Sequence, residues 1–551
     1  MRGTATYLGP SVCLLGLLVA CQGEIGSAER PDEPMAPEPT RPRDQSADEL
    51  CADLGIAAAT SPFGRLTRSE YDQTVRDLLG VEGSPADAFP DTVSGGVGFE
   101  VGISPAQFEL YAGAAADLAE AVDPESLFEC SPAERSESEC GQLFIERFGL
   151  RAFRRPVPAD AAARLQAVFE TGLAQGDYTN GLRLTLRAML QSPYFLYKVE
   201  TDRSSPISDT IVALDGFERA SRLSYLLWGS MPDDALFEAA AAGELDSPEQ
   251  VGAQARRMLD DPRARASVTQ LFIDWLHLDL DDERIQGLPE GVPAMMEEET
   301  RRFLEDLIFE QSGTLDDLLT ARHTFVNEEL AEIYGIEGIT GDEWTRVELD
   351  GDERAGVLTH ASWLAATASE GSAAPVFRGL FVRQELLCQQ LPEPPGEIPP
   401  FSDSGTETDS LRDRLAQHRE NPACAGCHTY MDPLGFGFEN YDGAGRFRLE
   451  GPGGVIDASG NVFETTDSDG PFYGAVELAE RLAVSEDVRQ CMANQLLRRA
   501  LGRLEGGEDA CSLRRMDEAF AASGYELQTL LVAVTQTDAF LYRRLGEGEG
   551  R

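Results

Sequence analysis

Basic residues are scarce in this chain: 46 Lys and Arg stand against 96 Asp and Glu, a net charge of -50 over 551 residues. A surface so acidic repels phosphate backbones and anionic headgroups. It argues against nucleic acid as a partner and leaves covalent or hydrophobic routes to a membrane. Histidine is scarcer still, at five: His277, His323, His360, His418 and His428. A hydrolase built on a histidine base therefore has few options. There is no G-x-S-x-G elbow, H-E-x-x-H pair, phosphate-binding loop or dinucleotide fingerprint, so the chemistries those motifs serve lose their signature. Beyond the first twenty residues, no apolar run is long enough to span a bilayer.

What is present begins with an export signal. Arg2 precedes the short apolar run Val12–Ala20, and Leu18-Val19-Ala20-Cys21 closes it with small residues. That tetrapeptide resembles a bacterial lipobox, which makes Cys21 the lipidated first residue of the mature chain. Gln22 in place of an aspartate implies sorting to the outer membrane. Of ten cysteines, Cys13 leaves with the signal, and Cys424 and Cys427 belong to a separate motif. Cys51, Cys130, Cys140, Cys388, Cys491 and Cys511 remain, an even number that suggests three disulfides in an oxidising compartment. The pairs closest in sequence, Cys130 with Cys140 and Cys491 with Cys511, are the expected bridges, although spacing does not dictate connectivity.

The length implies several domains, and the apolar periodicity is mainly helical. After the signal (1–21), residues 22–48 read as a Pro- and Glu-rich tether. An N-terminal helical domain follows (49–125), then a helical module (126–205), a central helical domain (206–342), a domain carrying a C-x-x-C-H motif (343–472) and a C-terminal helical module (473–545). Thr67 and Glu70 form a capping box, Leu66 and Tyr71 occupy the staple positions, and Gly80 stands at the C-cap. Further helices are expected over 105–122, 140–155, 159–174 and 180–191, and one carrying His360 and Trp363 opens the 345–400 stretch. Within 450–472 the best hairpin candidate pairs Val455-Ile456-Asp457 with Asn461-Val462-Phe463. Residues 182–198 align without gaps to 527–543 with seven of 17 positions identical, which points to two modules of one type.

One motif specifies chemistry strongly: Cys424-Ala425-Gly426-Cys427-His428. Two thiols one helical turn apart suit addition to the two vinyl groups of haem, and the adjacent imidazole then faces the iron. A zinc site would need a second paired cluster, and a thioredoxin-like dithiol would need a βαβ setting; the sequence offers neither. A local disulfide is the remaining alternative. Thr429–Gly435 resembles the loop after the haem helix of small cytochromes, and that resemblance implies Pro433 as the residue whose carbonyl accepts the ring N–H of His428. The sixth ligand stays open among His418, Met492, Met516 and none, because Met431 is too near His428 to reach the far face. Asp467-Ser468-Asp469-Gly470 reads as a solvated turn rather than a calcium loop. His277 and His360 read as structural residues on apolar helical faces.

The stretch from Arg419 to Asp442 around this motif resembles the planctomycete-type cytochrome c-like proteins, also common in myxobacteria and built from five consecutive domains of unknown function. Phe63–Tyr71, Phe148–Pro156, Arg222–Trp228 and Arg378–Cys388 carry the same resemblance, which spans about residues 60–545. It implies one covalently attached haem c on Cys424, Cys427 and His428, and it supplies no reaction. Some relatives carry a further cytochrome-type segment before the first helical domain; here that region has only Cys51. The expectation is therefore an exported, lipid-anchored protein of the cell envelope that transfers electrons or performs haem-dependent oxidoreduction with a redox partner or small-molecule substrate. The alternative is a non-enzymatic surface scaffold in which haem or a disulfide is structural.

Overall fold

Thr67 starts the first helix as its sequence dictates. Its Oγ accepts the Glu70 backbone N–H at 3.1 Å while the Glu70 carboxylate accepts the Thr67 N–H at 3.0 Å. Gly80, at φ 66°, closes the helix in the left-handed conformation that a side chain resists. The computed structural model describes residues 50–546 apart from 53–54, 62–63, 91–101, 131–133, 279, 281–287, 369–373, 392–409, 420–421 and 452. The export signal with Cys21, the tether 22–48 and most of the Pro-rich stretch after Leu391 lie outside the described residues. No helix among the described residues is long and apolar enough to cross a membrane.

The chain is mainly α-helical and multidomain, with two-stranded sheets only among the described residues. Strand β1 (Gly64–Arg65) leads into α1 (Arg68–Leu79), followed by α2 (Pro105–Ala121), α3 (Glu137–Phe153), α4 (Ala159–Gln175), α5 (Tyr178–Leu190), the single turn α6 (Pro193–Leu196) and β2 (Tyr197–Lys198). Strand β3 (Ile211–Ala213) then opens α7 (Gly216–Trp228), α8 (Asp234–Ala242), α9 (Pro248–Leu259), α10 (Pro262–Trp275) and α11 (Val292–Glu305). Next come α12 (Leu315–Thr320), β4 (His323–Val326), α13 (Glu328–Tyr334), β5 (Thr345–Glu348), α14 (Ala361–Ala366) and α15 (Pro375–Phe381). The last third holds α16 (Leu411–His418), α17 (Pro422–Gly435), β6 to β9 (Glu450–Gly451, Gly454–Val455, Ser459–Val462, Gly470–Tyr473), α18 (Gly474–Ala483), α19 (Glu486–Leu501), α20 (Ala510–Ala522), α21 (Leu527–Thr535), the turn α22 (Asp538–Leu541) and β10 (Tyr542–Arg544).

The two similar sequence segments adopt one succession of elements. Each is a helix, then a single turn capped by a hydroxyl (Ser192 or Thr537), then a short strand that starts at a tyrosine (Tyr197 or Tyr542). Each strand meets an equivalent partner. β2 pairs antiparallel with β1, and the Leu66 N–H donates to Leu196 O at 2.9 Å. β10 pairs with β3, and the Leu214 N–H donates to Leu541 O at 3.1 Å. In both cases a capping box follows at once, Thr67/Glu70 or Asp215/Glu218. A short strand pair that pins a helix start to the end of a distant module is thus used twice.

Three expectations are corrected. The stretch from residue 345 opens with strand β5 rather than a helix: it pairs with β4, and His360 is the N-cap residue of α14. Thr345 and Val347 alternate with charged residues at the strand period of two, which outweighs the helical reading. In the Gly-rich stretch Val455 pairs with Glu450, and Asn461 and Val462 pair with Pro471 and Gly470, so the two expected strand segments belong to different ladders. Gly454, at φ 97°, closes the first ladder locally, before the chain could fold back over a longer loop.

The third correction concerns the cysteines. Cys130 joins Cys140, but Cys491 joins Cys388 and Cys511 joins Cys51. Cys491 lies near the start of α19, and ten residues at 1.5 Å each carry the chain about 15 Å onward before it turns back into α20. A disulfide tolerates Cα separations only near 4.4–6.8 Å. The observed bridges have Cα–Cα distances of 5.1, 5.7 and 5.3 Å, and the Cys51–Cys511 bridge ties segments 460 residues apart.

Candidate functional site

Cys424, Cys427 and His428 all lie on α17 and take part in none of the three disulfides. Cys424 is buried, whereas Cys427 and His428 are half-buried. One turn beyond His428 stands Asp432, fully buried, whose Oδ1 is 2.8 Å from His428 Nδ1. A carboxylate only accepts, so Nδ1 carries a proton, and the nitrogen left to act as a ligand is Nε2. The expected acceptor, the Pro433 carbonyl, is not the partner of His428; it packs against Gly460 of β8 so closely that a Cβ there would lie 2.3 Å from it. The helix explains the difference. Residues i and i+4 share a face, and Asp432 stands on the face of His428 where Pro433 does not.

Asp432 Oδ2 is buried without a hydrogen-bond donor, and its nearest cation is Arg419 Nε at 3.9 Å. The negative charge is therefore directed toward the imidazole. Two thiols one turn apart, an imidazole fixed through Nδ1 and a buried carboxylate behind it form a donor set that fits a covalently held haem. Among the described residues no group of three or more His, Cys, Asp or Glu is placed to hold a metal ion unaided. That observation bears on zinc-type sites; a haem iron draws four of its ligands from the porphyrin.

Two arginines of the Arg378–Cys388 stretch, Arg378 and Arg383, hold this helix in position. Arg378 is completely buried. Its guanidinium donates to the carbonyls of Phe438 (2.8 Å), Tyr441 (3.1 Å), Leu364 (3.0 Å) and Asp442 (3.1 Å), gathering the chain that leaves α17. Burial lowers its pKa to about 10, so it stays charged at neutral pH. Arg383, in the π-helical turn Val382–Leu386 that continues α15, donates to Tyr430 O of α17 at 3.0 Å and to Phe463 O at 2.8 Å. Insertions of this kind in a helix recur at functional sites.

The packing of α15 on α17 has no room for side chains at its centre. A Cβ at Gly379 would lie 1.9 Å from Met431 O, and one at Gly435 would lie 1.7 Å from Pro375 O. Gly379→Ala is accordingly expected to lower stability by about 1–3 kcal/mol, the usual cost of overpacking. Thermal unfolding of the two proteins checks this; an unchanged midpoint would show that α17 shifts without penalty.

The remaining histidines serve elsewhere. His360 is fully buried with Nδ1 2.9 Å from Thr300 Oγ, and burial first, then Arg354 and His323, lowers its pKa to about 3. His277 does not sit on an apolar helical face, as its sequence suggested: it follows α10 at φ 55° with its side chain 48% exposed. The side chain of His418 lies outside the described residues. Met492 and Met516 are both buried in the main hydrophobic core, Met492 beside Leu271 and Trp275, and so serve as packing. Both acidic side chains of the 467–470 turn are engaged by protein donors. Asp467 accepts the Glu486 N–H at the start of α19, and Asp469 accepts from Thr465.

Five family descriptions match the chain in unbroken order, each reading "Protein of unknown function". They cover residues 65–124 (DUF1587), 140–200 (DUF1595), 214–336 (DUF1592), 354–451 (DUF1588) and 469–540 (DUF1585). The fourth of these contains Cys424, Cys427, His428 and Asp432. No curated protein and no solved structure matches the chain. The five consecutive domains match the planctomycete-type family.

Proposed function

We propose that this chain is an exported, lipid-anchored protein of the cell envelope that holds one haem c through thioether bonds to Cys424 and Cys427, with His428 as proximal ligand, and that it serves haem-dependent oxidoreduction or electron transfer. The observation that carries this reading is the 2.8 Å hydrogen bond from His428 Nδ1 to the buried Asp432 carboxylate. Ligating histidines are oriented in this way, with the second ring nitrogen donating to a carboxylate or carbonyl. The haem, when bound, supplies one-electron chemistry. The protein supplies a helix fixed by Arg378, Arg383 and the Gly379 contact, and a carboxylate that enriches the imidazole in electrons. Three disulfides support an oxidising compartment, where covalent haem attachment takes place. The Leu18–Cys21 tetrapeptide and the acidic surface support a lipid anchor rather than electrostatic membrane binding.

The Asp432 charge favours the oxidised iron and therefore oxidoreduction over high-potential electron carriage. Asp432→Asn removes that charge and is expected to shift the ferric-to-ferrous ratio at fixed poise at least tenfold toward ferrous, about 59 mV for one electron. Redox titration of the two haem-loaded proteins measures it. The parent reading is tested first by the mass of the mature chain and by its reduced pyridine spectrum. One haem per chain is expected; a bare polypeptide mass from a host competent in haem attachment would leave the surface-scaffold alternative.

A further inference from the structure

Among α1, α7, α10, α11 and the last turn of α19 lies a cleft of about 720 Å³, a volume typical of small-molecule sites. On a chain of net charge -50 its wall runs the other way, with seven cationic side chains against five acidic ones. Four of the cations are matched at close range: Lys198 meets Glu70 at 2.7 Å, Arg222 meets Glu200 at 2.5 Å, Arg263 meets Asp261 at 2.8 Å and Arg498 meets Glu505 at 2.5 Å. Others are matched in part. Arg499 Nη1 is 3.3 Å from Asp274, and Arg301 donates through Nη2 to Gln270 at 3.0 Å and Glu297 at 2.7 Å.

Arg76 differs from all of these. It is half-buried and forms no ion pair with any described residue. Nη1 donates to Gln73 Oε1 at 2.6 Å, and Nε is buried without a hydrogen-bond partner. Asp72, on the same helix, acts on Arg76 only at a distance, so the buried Nε has a donor to offer and an anion entering the cleft would both accept from it and pair with the charge. Arginine forks fit the planar oxygens of carboxylate and the tetrahedral oxygens of phosphate, and they bind through paired N–H groups. Thr67, Ser69 and Gln270 add neutral hydrogen-bonding groups to the wall, and Leu226 and Leu271 add apolar surface, which suits an organic body attached to the charge.

We propose that this cleft binds a small organic oxyanion, a carboxylate- or phosphate-bearing molecule, with Arg76 as its main counter-charge. The wall draws on four of the five matched domains, so the site exists only in the assembled chain. The proposal does not depend on haem, and its test works on the purified chain with or without it.

Calorimetric titration with citrate, inorganic phosphate and, as a neutral control, glucose tests the cleft. Citrate or phosphate is expected to bind while glucose does not, with affinity falling about tenfold between roughly 20 and 200 mM salt as screening increases. Stronger citrate binding assigns the carboxylate, and stronger phosphate binding assigns the phosphoryl group. Arg76→Gln is expected to weaken the bound anion about tenfold or more while keeping the helical circular dichroism. Arg301→Gln gives the same reading if the first variant does not fold. The proposal is overturned if neither anion binds better than glucose, or if both variants bind the anion unchanged.

Discussion

A chain carrying Cys424→Ser together with Cys427→Ser is expected to emerge from a haem-attaching host with no covalent haem at all. Both thioether sulfurs are then gone, and a lone imidazole on α17 cannot retain the group through denaturation. Denaturing gels stained for haem, with intact mass alongside, read the result directly. The single variant Cys427→Ser keeps one thioether and is expected to retain a reduced fraction. His428→Ala is expected to keep the attachment and lose the proximal ligand, which changes the spectrum while the mass still includes haem. Retention of covalent haem by the double serine variant would sink the assignment of these two sulfurs.

The second large effect concerns stability. Arg378→Met removes a buried cation that donates to four carbonyls, three in the chain after α17 and Leu364 O of α14; Tyr441 O loses its side-chain donor, and the charge-assisted bonds to Phe438, Leu364 and Asp442 O are lost as well. A loss of about 3–5 kcal/mol is expected, the range seen when one partner of a buried charged network is removed. Arg378→Lys should recover only part of it, because a single ammonium cannot reproduce the planar fork. Urea unfolding with an unchanged slope measures the difference. A loss below about 1 kcal/mol would mean that water takes over the carbonyls and that Arg378 is not what holds the haem-motif helix.

These two predictions rest on different kinds of information. Cys424, Cys427 and His428 were legible because the motif is local: three side chains within five residues of one helix specify their own geometry. Asp432 is legible in principle, since an acid four residues past a candidate ligand shares its face, but the sequence does not say whether it or the carbonyl of Pro433 meets the ring. Arg378 and Arg383 stood inside a recognisable stretch without a role. What they bind are carbonyls many residues away, and carbonyls leave no mark in a sequence. The cleft around Arg76 is assembled from α1, whose caps mark it in the sequence, and from helices of the central and C-terminal segments that the sequence marks only as helical in pattern.

The positions of α1 to α5, the caps of α1 and the doubled module came from the sequence alone, because they depend on periodicity, on residues three apart and on repetition along one chain. Thr67, Glu70 and Gly80 determine where α1 begins and ends whatever surrounds them. Tertiary structure decided which cysteine meets which, which strand segments pair, and which acid stands behind His428. Each is a choice among distant or equivalent partners, made by the packing of helices whose faces alone do not name their neighbours. Cys51 and Cys511 lie 460 residues apart, and only the packing of the modules between them brings their Cα atoms to 5.1 Å.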